Sequence, residues 1–331
     1  MVGLAFFASR LPLAFWRPSL AATRGIVRLA VPAALIVLAS QLLANLDLWC
    51  LKWLGTAGAA TTGSGLSEGA SGGANADETV GFYVAATNIA RLPSVIQFVM
   101  TAVLIPSVAR IASRDDEAGV RDVVRGAFRF LTLLLLPVCA WLALRSEELM
   151  LLVYSEDYRE GAPFQALLAF RFGLFSTLLM TLAGVLLALG KPGTAARGML
   201  AAVPVGGVIL VAAIRTWGAT GAAIGALATL ALGVLFVGVP VRRRIGPFLS
   251  ARTLLVTVLA TGAMTAVTFA YRPEAAWVVA DGVLCLGVAA AVLAAVGELR
   301  PSDLAWFLGR RPEVAGGTSS SPDAEQDGGE R

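Results

Sequence analysis

The run Val80–Arg110, VGFYVAATNIARLPSVIQFVMTAVLIPSVAR, sets the terms for the whole chain. It is mostly apolar and longer than the roughly 20 helical residues that span the hydrocarbon core of a bilayer. It therefore predicts a membrane-crossing helix, broken at Pro93 and Pro106. Asn88, Arg91 and Gln97 stand at depths where polar groups are expensive. At about 100° per residue, Thr87, Arg91, Ser94 and Thr101 fall on one side of this helix, with Asn88 beside them. A lipid-exposed helix does not keep such a stripe, so the stripe is predicted to face a partner helix or a watery cavity.

The rest of the chain reads the same way. It is 57% hydrophobic and only 15% charged, against about 25% charged in ordinary soluble domains, which predicts an all-α integral membrane protein. About eight transmembrane helices are expected: Val27–Leu51, Val80–Arg110, Val123–Leu144, Phe164–Leu189, Arg197–Ile214, Ala219–Val241, Thr253–Tyr271 and Ala276–Val296. Pro204 and Gly206-Gly207 are expected to break the fifth. Residues 1–24 read as an interfacial segment before a transmembrane helical domain over 25–299. The Gly/Ala/Ser/Thr-rich stretch 55–79 has the composition of a flexible outer insert, and residues 300–331 that of a mostly disordered cytoplasmic tail.

The net charge of +4 is no sign of a nucleic-acid partner, because the basic residues cluster at helix ends. Arg10, Arg17, Arg24 and Arg28 precede the first helix; Arg110, Arg114, Arg121 and Arg125 lie between the second and third; Arg242–Arg244 follow the sixth. The intervening loops are acidic or poor in base, with Glu147, Glu148, Glu156, Asp157 and Glu160 in one of them. By the positive-inside rule, this predicts a multi-pass protein of the cytoplasmic membrane with both termini in the cytoplasm.

The chain has no histidine, which removes His-based zinc sites, Ser–His–Asp triads and imidazole proton relays. Cys50, Cys139 and Cys285 lie in separate apolar segments without CxxC spacing and read as packing residues. No GxxxxGK[ST] loop occurs. The expectation is a protein that is not an enzyme, with no metal and no cofactor.

In the first helix Gln41, Asn45 and Lys52 share one face, and Ser40 and Asp47 another. Asp47 is expected within about a turn of the depth of Arg91, at ~1.5 Å of rise per residue. Two readings follow: a polar cavity lined by Gln41, Asn45, Asp47, Asn88 and Arg91, or an Asp47–Arg91 ion pair that only fixes helix packing. Arg171, in the fourth helix, either faces the same space or snorkels toward the acidic loop. Asp281 reads as a near-surface residue, and Tyr83, among other aromatics near helix ends, as an interface anchor.

The order of segments resembles a known family. A helix ends N-x-D-x-x-x-L-K-x-L-G (Asn45–Gly55), followed by G-F-Y-V-A-A-x-x-I-A-R-L-P (Gly81–Pro93) and L-I-P-S-V-A-R-I (Leu104–Ile111). Then come L-L-L-L-P (Leu133–Pro137), V-Y-S-E-D-Y (Val153–Tyr158) and A-L-G-K-P (Ala188–Pro192). From about Gly25 to Leu299 the chain is similar to the C-terminal half of polysaccharide-biosynthesis flippases of the MOP (multidrug/oligosaccharidyl-lipid/polysaccharide) exporter superfamily. The resemblance implies one lobe of a MATE/MOP-like helical transporter. Such a transporter moves a polyprenyl-pyrophosphate-linked glycan between leaflets by alternating access. Family members carry two lobes, so a second helical lobe is expected as partner, from another chain or a second copy, unless the chain is a fragment. Arg91, Arg171 and Lys52 are the cations available to a pyrophosphate, and Gln97 joins the cavity set. Alternatives are half of a MATE-type cation-coupled multidrug exporter with Asp47 as coupling carboxylate, a membrane-embedded glycosyltransferase or polymerase, or a non-transporting accessory subunit.

Overall fold

A computed structural model describes residues 20–62, 76–248, 250–270 and 277–297. The described residues form helices joined by short turns. The first are α1 (Leu20–Thr62), α2 (Ala76–Ala90), α3 (Ser94–Ala112), α4 (Glu117–Leu144) and α5 (Ser146–Val153). A 3-10 turn (Glu156–Gly161) leads into α6 (Ala162–Ala169), a π-helical segment (Phe170–Ser176) and α7 (Thr177–Ala188). The chain continues as α8 (Pro192–Ile245), α9 (Ala251–Ala270) and α10 (Val278–Ala295). In lipid each backbone N–H and C=O must be satisfied within its own segment, which is why long apolar runs of this kind take helical form.

The Val80–Arg110 run is broken once, not twice. Pro93 has no N–H to donate and ends a three-residue turn in which Leu92 N donates to Ile89 O at 3.1 Å and Ser94 N to Arg91 O at 2.9 Å. Pro106 instead stays inside a continuous α3. The expected cytoplasmic loop after Arg110 is also shorter than its charges suggest. Asp116 caps α4 by accepting from Gly119 N at 2.8 Å, so Arg121 and Arg125 ride on the first turns of a helix. The expected insert narrows too. The backbone is helical to Thr62 and again from Ala76, and 63–75 lies outside the described residues, as do 1–19 and the tail from 298.

Pro204 and Gly206-Gly207 do not break their helix; the reversal comes at Gly218. With φ +58° and ψ −133°, a conformation that glycine alone adopts without strain, Gly218 folds α8 into two antiparallel arms, 192–217 and 219–245. The arms lie very close. A Cβ at Gly221 would overlap the Ala213 carbonyl, one at Gly225 would stand 2.9 Å from Leu210 Cα, and Thr229 Oγ1 donates to Gly206 O at 3.1 Å. Small residues at such crossings let two backbones gain dispersion contact that lipid cannot supply.

Seven described helices are long and apolar enough to cross a membrane, and α8 is one of them. Because α8 doubles back, they supply eight apolar arms, as expected from the sequence. The chain is an all-α multi-pass membrane protein. Its outer surface is apolar, with Phe98, Val208, Leu255 and Val283 among the exposed side chains.

The interior has two apolar cores stacked along the bundle. One gathers Leu43, Met100, Leu104, Leu131, Leu135, Leu179 and Leu182 with the far portions of both α8 arms. The other gathers Leu51, Tyr83, Ile89, Leu142, Leu168, Phe172, Leu210 and Ala223. The terminal pair α9–α10 packs against α4 through two small clusters, Leu133 with Val256, Ala260 and Leu293, and Ala140 with Met264, Cys285 and Ala289.

Candidate functional site: a polar layer between two cores

Where the two cores meet, the chain buries an ion pair. Asp47 on α1 and Arg171 in the π segment are each 1% exposed. The pair is bidentate: Arg171 Nη1 donates to Asp47 Oδ2 and Nη2 to Oδ1, both at 2.8 Å. Nη2 also reaches the α1 carbonyls of Leu43 at 3.1 Å and Ala44 at 3.0 Å, while Nε has no hydrogen-bond partner among the described residues. Tyr83 on α2 completes the cluster, its hydroxyl donating to Asp47 Oδ2 at 2.5 Å. A planar guanidinium matches a carboxylate in this two-point fashion, which is what makes so deep a burial tenable.

The π segment is why Arg171 reaches α1. A π turn admits one extra residue into a helix and re-aims the side chains around it, and such turns are frequent at functional sites. Gly173 lets this wide turn seat itself. A Cβ there would overlap Cys139 Sγ on α4 and come within 3.3 Å of the Pro93 ring at the α2–α3 break.

Arg91 lies in that break and is exposed. Its Cζ sits 4.8 Å from the centroid of the Phe172 ring, and Arg171 Cζ sits 4.4 Å from the same ring. Phe172 thus serves two guanidinium groups at once. Asp47 neutralises one of them; among the described residues no carboxylate lies within ion-pairing distance of Arg91. The layer therefore carries a net positive charge, located on the accessible arginine.

The other predicted residues are placed unevenly. Gln97 on α3 is half-buried and accepts from Ser176 Oγ at 3.4 Å, which joins it to the end of the π segment. Asn88 is exposed and donates to Tyr154 OH at 3.3 Å. Gln41 and Asn45 satisfy each other along α1, Asn45 Nδ2 donating to Gln41 O at 2.9 Å. Lys52 is exposed further along the same helix.

Two open alternatives are decided and two expectations are corrected. Asp47 pairs with Arg171, not Arg91, because the π segment and not α2 presents the guanidinium to α1. Arg171 does not snorkel; it is enclosed with its counter-ion. Tyr83 is no interface anchor but a buried donor to Asp47. Asp281 is buried rather than superficial: Arg145 Nε donates to its Oδ2 at 2.9 Å and Nη2 to its Oδ1 at 3.1 Å, with Trp141 Nε1 adding a bond at 3.2 Å. Arg145, at the junction of α4 and α5, also donates to Thr268 O at 3.1 Å and so ties α9 and α10 to the body. Sequence reasoning missed Tyr83 and Phe172. Tyr83, Thr87 and Arg91 repeat every four residues on one helix face, a signal that was present.

A family model described as a polysaccharide biosynthesis protein matches residues 72–163. The match spans a little over a quarter of the chain and includes Tyr83, Asn88, Arg91, Arg145 and Tyr154; Asp47, Arg171 and Phe172 lie outside it. No curated protein matches the chain. The polysaccharide biosynthesis match supports the resemblance to flippases drawn from the motif order. Together with the apolar helices, it fits a membrane transporter of the polysaccharide-biosynthesis kind.

Proposed function

We propose that this chain forms one lobe of a flippase that carries polyprenyl-pyrophosphate-linked oligosaccharide across the cytoplasmic membrane by alternating access, with both termini in the cytoplasm. The observation that carries this reading is Arg91: an exposed guanidinium with no carboxylate partner among the described residues, held against Phe172 beside a neutralised ion pair. A pyrophosphate is the complementary group, since guanidinium binds phosphate oxygens two at a time. The substrate's polyprenyl tail stays in lipid while its charged head passes the polar layer. A second helical lobe, from another chain or a second copy, would cover Gln41, Asn88 and Arg91, whose exposure to hydrocarbon would be costly. The cation-coupled exporter reading is disfavoured at its own key residue, because Asp47 already accepts from Arg171 on both oxygens and from Tyr83 on one.

Arg91→Lys keeps the charge and loses the planar fork. It is expected to lower transport roughly tenfold and Arg91→Ala further, for the loss of ~1.5–3 kcal/mol of charge-assisted bonding, with membrane levels of the protein unchanged. Leaflet-specific chemical labelling of the lipid-linked sugar in cells reads this directly. Wild-type transport by Arg91→Ala would end the proposal.

A further inference from the structure

One turn of α2 from Arg91, the bundle presents a second group of side chains that the ion-pair layer does not use. Tyr154, after α5, and Tyr158, in the 3-10 turn, stack with ring centroids 5.0 Å apart and an interplanar angle of 26°. Phe82 meets Tyr158 edge-on at 5.5 Å and so fixes the pair against the core. Both tyrosines remain partly exposed. The amide of Asn88 is bound to the Tyr154 hydroxyl, and that hydroxyl, used there as acceptor, keeps its own proton to donate.

We propose that Tyr154, Tyr158 and Asn88 form a subsite for the uncharged sugar ring next to the pyrophosphate of the lipid-linked substrate. This rests on the assignment of Arg91 to the pyrophosphate. The chemistry favours a sugar over other ligands. A pyranose offers an apolar face of C–H groups to an aromatic ring and a rim of hydroxyls to an amide and a phenol. Few polar groups beside an aromatic wall are the usual makings of a small-molecule site. The surrounding charge excludes a phosphate: Glu147, Glu148, Glu156, Asp157 and Glu160 crowd this segment, and its exposed Arg159 is held by Glu147 at 2.7 Å and Glu156 at 2.5 Å. An anion at the tyrosines would meet like charge, so the pyrophosphate stays at Arg91 and only the neutral ring extends outward. Asn88 lies on the last turn of α2 and Arg91 three residues on, in the turn that follows, where its N still donates to Thr87 O at 3.1 Å; at ~1.5 Å of rise per residue the two stand about 4.5 Å apart along the axis. With the orientation that the basic loops predict, this is the outer end of the bundle, so the platform receives the sugar once it has crossed.

The test uses the full chain extracted with its surrounding lipid, titrated with undecaprenyl pyrophosphate and with the same lipid bearing one N-acetylglucosamine. The expected result is tighter binding of the sugar-bearing lipid by wild type. Tyr154→Ala and Asn88→Ala should each weaken that lipid roughly 3–10-fold while leaving the bare lipid unchanged. Tyr154→Phe keeps the packing and should retain most of the preference. Arg91→Ala should weaken both lipids together. If wild type binds the two lipids equally, or if neither Tyr154→Ala nor Asn88→Ala changes the ratio of affinities, the sugar subsite is wrong and the pyrophosphate assignment stands. If wild type binds neither lipid, both fall.

Discussion

At the scale of single residues, Asp47 and Arg171 are worth more as a pair than either is alone. Asp47→Asn or Arg171→Met strands one buried partner, and each is expected to destabilise the protein by about 3–5 kcal/mol. The double replacement Asp47→Leu with Arg171→Met removes both charges and is expected to recover most of that loss. Tyr83→Phe should cost about 1.5–3 kcal/mol, the range for a hydrogen bond to a charged group. Thermal unfolding of the detergent-purified variants measures all four, and single variants as stable as wild type would show that the pair is not closed as described. Arg91 and Asp47 were legible in the sequence as polar residues set too deep for lipid. Their partners were not, because Asp47 finds its counter-ion 124 residues away on a helix whose register a π turn has shifted. Periodicity counts residues along one helix; it does not say which neighbouring helix will hold the facing charge.

At the scale of elements, α8 shows how far composition carries and where geometry takes over. Its apolar content predicts two crossings parted between Ile214 and Ala219, and Gly218 reverses the chain there, but the break expected at Pro204 and Gly206-Gly207 is absent. A proline loses only one helical bond and is tolerated where neighbouring helices support the turn, whereas a chain reversal needs a backbone conformation such as that at Gly218. The arms then tolerate almost no side chain at their crossing. Gly221→Ala would press a methyl into the Ala213 carbonyl and is expected to cost about 1–3 kcal/mol through forced separation of the arms. Gly81→Ala is the matched control on α2, where an added Cβ meets nothing within 4 Å and relief of backbone entropy favours the alanine by ~0.5–1 kcal/mol. Equal melting temperatures for the two variants would contradict the close crossing.

For the whole molecule, eight crossings would put the two ends of the helical domain on the same side. Single cysteines at Gly65 and Glu156 are expected to label from outside the cell, and those at Asp116 and Arg243 only after the membrane is permeabilised; labelling of Gly65 from the cytoplasm would invert the orientation. The two buried ion pairs also bear on how such a bundle comes to be made. Arg145 leaves the ribosome 136 residues before Asp281, and Asp47 leaves it 124 residues before Arg171. At roughly 5–20 residues per second, Asp47 waits on the order of ten seconds for the residue that will neutralise it, whereas Arg145 has Glu148 three residues on. A lone charge at mid-membrane costs roughly 2.5–3.5 kcal/mol on insertion scales. Holding the first helix beside water or the insertion machinery until Arg171 arrives would spare that cost, so the order of synthesis need not be the order in which the bundle closes.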